Sequence, residues 1–199
     1  MLIAAAPLGL VVAVWSETAG AERAWHSLEV ARRERTVGIH AAATLVVSRD
    51  GSLRTIDVKR PDAVRPTAGG AVLAAGVEML IGGIGWLVLE PGVDGALAAE
   101  AHQHGFATDG IRDLGERMVR RSSAMVTVVE PCSVDRVRSV FAETGARTAQ
   151  GVLEPELVAR LDAASAPSRD VSGAVGRVLA LRSGAVVMRA MESAPAGMA

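Results

Sequence analysis

Glu100, His102 and His104 set one carboxylate and two imidazoles in the pattern E-x-H-x-H. These donor types suit zinc or nickel. On a helix, however, residues two apart do not share a face, so the expectation is a solvated turn with no metal bound. His26 and His40 read as helix-surface and strand-face residues. Cys132 follows an apolar run and precedes a helix start, the kind of position at which reactive thiols are found. It is the sole cysteine, so there is no C-x-x-C pair, and a packed or idle thiol is the expected role. Gly82-Gly83-Ile84-Gly85 interrupts a helical pattern instead of following a strand, which excludes a dinucleotide loop. P-loop, G-x-S-x-G and H-E-x-x-H patterns are missing from the sequence. The chain is therefore not read as an enzyme, and no catalytic, cofactor-binding or metal-ligating residue is assigned.

The strongest signal is structural. From Gly69 to Gly105 runs a glycine-studded apolar block in which Gly69, Gly76 and Gly83 fall seven residues apart. On a helix they line one face, and small residues on one face let another backbone approach closely. Gly69, Gly76 and Gly83, with Glu78 beside them, are the candidate association face. Glu78 is read either as a functional polar group of that face or as a carboxylate at an oligomer rim.

Around this block the composition is that of a folded chain. Of 199 residues, 50% are apolar and 22% charged, enough for one well-buried domain with an extension. Aromatic residues make up only 3%, so Val, Leu, Ala and Ile must build the core. A net charge of −1 offers no case for nucleic acid. A single cysteine excludes an intrachain disulfide and points to a reducing compartment. The N-terminal apolar run has no basic residue ahead of it, unlike a secretory signal.

The elements follow from periodicity and punctuation. Leu8–Trp15 reads as a buried strand and about 19–35 as an amphipathic helix ended by Gly38. Ile39–Ser48 and Leu53–Lys59 read as a hairpin turning at Asp50-Gly51, a type I′ signal. Its second strand is polar enough for a sheet edge. The apolar block splits at Pro91-Gly92 into a long helix, about 68–89, and a wetter one, about 93–104. A short helix near 111–121 and a buried strand at 124–130 follow. Ser133 is a suitable N-cap for a helix to Thr144, closed by Gly145. A weaker strand at 146–152 and a helix opened by Pro155 complete the series. VVAVWSETAGAERAWHSL and MVTVVEPCSVDRVRSVFA both read as strand, acidic turn, helix. Two such β-α-β units give an α+β, ferredoxin-like split sandwich. This domain spans 1–164, with a Gly-rich helical hairpin inserted at about 61–121. Residues 165–199 form a linker and C-terminal tail, read as a hairpin, a poor amphipathic helix or loose chain.

VVAVWSETAG, LVVSRDGSL, GGAVLAAG…EPGVDG, SSAMVTVV, SVDRV and LEPELVARL together resemble a widespread bacterial family, numbered 1269 among domains of unknown function and often labelled "predicted membrane protein". The resemblance covers about 8–164 and implies an envelope- or stress-related role. It carries over no catalytic residue. In that family the insert has two comparably apolar helices, whereas here the second carries Asp94, Glu100, His102 and His104.

Residues 68–89 are long enough to cross a bilayer, but Glu78 at the centre costs roughly 2.5–3.5 kcal/mol. A single crossing would also separate strands that must share a sheet. The expectation is a non-enzymatic module, cytoplasmic or held at the inner membrane, that forms homo-oligomers through its Gly-rich helices or meets a membrane surface. The alternative is a small-molecule-binding regulatory domain acting as an oligomer.

Overall fold

Strand β1 (Leu8–Trp15) is apolar at every position except Gly9 and buried at all eight. A strand so composed must be covered on both faces, and the rest of the chain is arranged to do that. The computed structural model describes residues 6–59, 68–84, 99, 101–102, 106 and 108–165. They form an α+β structure around one antiparallel sheet of five strands: β1, β2 (Ile39–Val47), β3 (Leu53–Lys59), β4 (Ser123–Val129) and β5 (Arg147–Leu153). The spatial order is β3-β2-β4-β1-β5. Sequential strands β1 and β2 are thus separated by β4, and β4 and β5 by β1.

Alternate side chains divide the core in two, as a pleat requires. Val11, Ala13 and Trp15 of β1, with Met125 and Val129 of β4, meet helices α1 (Gly20–Arg33) and α4 (Val134–Glu143). Leu8, Leu10, Val12 and Val14, with Ala124, Val126 and Val128, face the other way. There they meet α2 (Ala68–Gly82), α3 (Asp109–Glu116) and α5 (Pro155–Ser165).

Several local expectations are revised. The β2–β3 turn is not type I′, which needs positive φ at both central residues. Only Gly51 has it, at 89°, while the Gly51 N–H donates to the Ser48 carbonyl and the Ser48 N–H to the Ser52 carbonyl. This is a three-residue loop ending in a left-handed glycine. Helix α1 ends near the expected position, at Arg33, but the residue that closes it is Arg35 rather than Gly38: its φ of 58° lets the Thr36 N–H reach back to the Ala31 carbonyl. That closure is a Schellman motif. Ser133 does not cap α4 through its side chain. Its hydroxyl instead accepts the Gly38 N–H at 2.9 Å, tying the start of α4 to the start of β2. Similarly, α1 has no side-chain cap of its own. The Ser123 hydroxyl of β4 accepts the Ala21 N–H at 3.1 Å and donates to the Glu17 carbonyl at 2.6 Å.

The long apolar helix expected over 68–89 ends at Gly82, with 15 residues. Among the described residues no helix is long and apolar enough to cross a membrane. Most of the expected second insert helix, and the tail from 166 onwards, lie outside the described residues.

Candidate association surfaces

Between Gly69 and Ile81, every α2 residue is buried except Glu78, which is half-buried. A helix apolar all round is one enclosed on all sides. Here the sheet lies beneath α2, and α3 and α5 flank it. Gly69 is buried. Gly76 points at the central strands, where a Cβ would stand 2.8 Å from Cγ1 of Val126 and 3.1 Å from Cδ1 of Leu10. Gly83, just past the helix, meets α3. A Cβ there would run into the backbone carbonyl of Arg112, and one on Gly115 would strike the Leu80 carbonyl and come within 2.9 Å of Gly83 Cα. Gly83 and Gly115 therefore make a backbone-to-backbone crossing within one chain. The small-residue spacing did announce close packing, and at Gly76 and Gly83 the partner is the protein's own sheet and its own α3. Gly115, the other half of that crossing, was not singled out in the sequence. Its signal was a glycine on the apolar stripe Ile111–Leu114–Met118.

The chemistry-bearing residues disperse. His102 is exposed, its Nδ1 3.1 Å from the Thr108 hydroxyl. The side chains of Glu100 and His104 lie outside the described residues. Among the described residues no three His, Cys, Asp or Glu side chains stand close enough to hold a metal ion. Cys132 is exposed in the short turn Pro131–Ser133, its Sγ 3.7 Å from Oε2 of Glu130. His40 is half-buried where β2 slips register against β4. His26 lines an open groove on α1 with Glu22, Arg23 and Ser27. Beside that groove the Arg23 guanidinium pairs with Glu17 and holds its carboxyl below the usual carboxylate range. At the hairpin, the Ser52 N–H and hydroxyl, at 2.9 and 2.8 Å, hold Asp50 low in the same way.

The sheet's two margins differ. β3 carries Arg54, Asp57 and Lys59 in seven residues, and charged edge residues oppose pairing with another strand. β5, with the sequence RTAQGVL, has one charge, at its first residue. α3 and Phe106, three residues before it, lie over it on one face: Gly110 approaches Ala149, and a Cβ on Gly151 would stand 2.6 Å from the Phe106 ring. On the side away from β1, no strand among the described residues pairs with it. Val152 is 47% exposed, and Arg147 and Gln150 are exposed as well. Sequence reading identified this segment as a weaker strand. Its place at the margin depends on strand order, which local pattern does not encode.

Compared with protein-family models, curated proteins and solved structures, the chain matches none. The resemblance to the family of unknown function thus rests on the quoted motifs alone.

Proposed function

We propose that this protein is a non-enzymatic association module that works as a homo-oligomer, built on a ferredoxin-like split β-α-β plan. The strand order supports the plan: β1-α1-β2 straddles β4, β4-α4-β5 straddles β1, and both connecting helices lie on one face. In this reading β3 is an added edge strand, and α2, α3 and α5 roof the second face.

One observation carries the self-association. Both sheet faces are covered by the chain's own helices, yet among the described residues no strand pairs with the outer margin of β5, which is nearly uncharged and carries Val152 at 47% exposure. An open edge with so little charge is a template for a further strand. The engaged hydroxyls agree with a structural role: Ser123, Ser133 and Thr144 each join separate elements. Light scattering on the full chain without detergent tests this reading. A mass of two or more chains is expected, and a monomer at every concentration tried would refute it.

A further inference from the structure

We infer that two copies pair through β5, antiparallel, about a twofold axis passing through Gln150 and normal to the sheet. This rests on the self-association reading and specifies its geometry. The strand's ends carry opposite charge: Arg147 is exposed at one, and Glu154 and Glu156 are exposed just beyond the other. Antiparallel self-pairing brings each basic end to the acidic end of the other copy. Parallel pairing would set Arg147 beside Arg147 and the glutamates beside each other, and like charges directly across a pair of strands are destabilising.

Gln150 is the midpoint of Arg147–Leu153, so an axis there pairs all seven residues. Thr148 then lies across from Val152 of the second copy, Ala149 from Gly151, and Gln150 from itself. Thr148, Gln150 and Val152 are in register with Ala13, Val11 and Gly9 of β1. They therefore share the face that α1 and α4 cover, and the axis keeps those helices on the same side in both copies. Moving the axis to Gly151 would set Arg147 opposite Pro155, which has no N–H to donate. Moving it to Ala149 would leave Val152 beyond the paired segment, still in solvent. Two five-stranded sheets would thus join edge to edge, with the exposed valine covered.

The self-pairing of Gln150 supplies the test. In the full chain, Gln150→Lys and Gln150→Glu each place two like charges directly across the axis. Each variant alone should run as a monomer by light scattering, and mixing them should restore the dimer. Gln150 is exposed, so both should melt as the wild-type monomer does. In a Cys132→Ser background, Gln150→Cys should cross-link to itself under mild oxidation. Directly opposed strand residues hold their Cβ atoms about 4.5–5.5 Å apart, close enough for a disulfide after slight adjustment. A wild-type dimer whose Lys and Glu variants stay dimeric, with no cross-link formed by the Gln150→Cys variant, overturns this geometry and leaves self-association standing. A wild-type monomer overturns both.

Discussion

The hydroxyl of Thr127 lies at the centre of β4, fully buried, and finds no hydrogen-bond partner among the described residues. An unsatisfied buried polar group costs about 1–3 kcal/mol. Valine has nearly the same shape without that cost. Thr127→Val should therefore raise stability by about 1 kcal/mol, seen as a melting point about 2–4 °C higher for a domain of this size. An unchanged or lower melting point would mean that the hydroxyl has a use. The half-buried hydroxyl of Thr144 behaves oppositely. Thr144 accepts the Trp15 indole N–H at 3.1 Å and donates to the Phe141 carbonyl at 2.8 Å, where the Trp15 and Phe141 rings meet edge to face at 5.5 Å. At this scale the sequence was only partly legible. Ser133 read as a cap because caps are local, whereas its actual partner, Gly38, lies 95 residues away. Gly145 was read correctly as a helix stop, because a Schellman closure is complete within six residues. Its φ is 80°, and the Ala146 N–H donates to the Phe141 carbonyl.

Helix α2 shows how an element can be read correctly and its surroundings not. Glycines at seven-residue spacing say that something packs closely; they do not say what. Here Gly76 admits the Val126 and Leu10 side chains, and Gly83 admits the backbone of α3. An apolar helix and a membrane span share the same composition, and the difference lies in what surrounds the helix. Gly115→Ala tests the crossing. The added methyl meets the Leu80 carbonyl and the Gly83 backbone, neither of which can rotate away, so the loss should reach about 1–3 kcal/mol. Urea unfolding would measure it, and a variant as stable as wild type would show that the two helices can part without cost. The strands were legible for a physical reason as well. β1 is apolar but for Gly9, and β4 but for Ser123 and Thr127, because helices cover both of their faces, and β3 is polar because it lies at an edge. The weak pattern of β5, exposed or half-buried at six of its seven residues, hid its position.

At the scale of the whole molecule, helix layers close both faces of the sheet, and among the described residues the β5 margin is the edge where a second chain can add. Helix α2 lies in the interior and β5 forms the proposed interface, and amide hydrogen exchange of the full-length protein at a series of concentrations separates the two. On dilution, amides of 147–153 should lose protection as the edge is freed, while those of 68–82 keep theirs at every concentration. Protection in 68–82 that falls on dilution, with 147–153 unchanged, would put the glycine-rich helix at the interface and contradict the account.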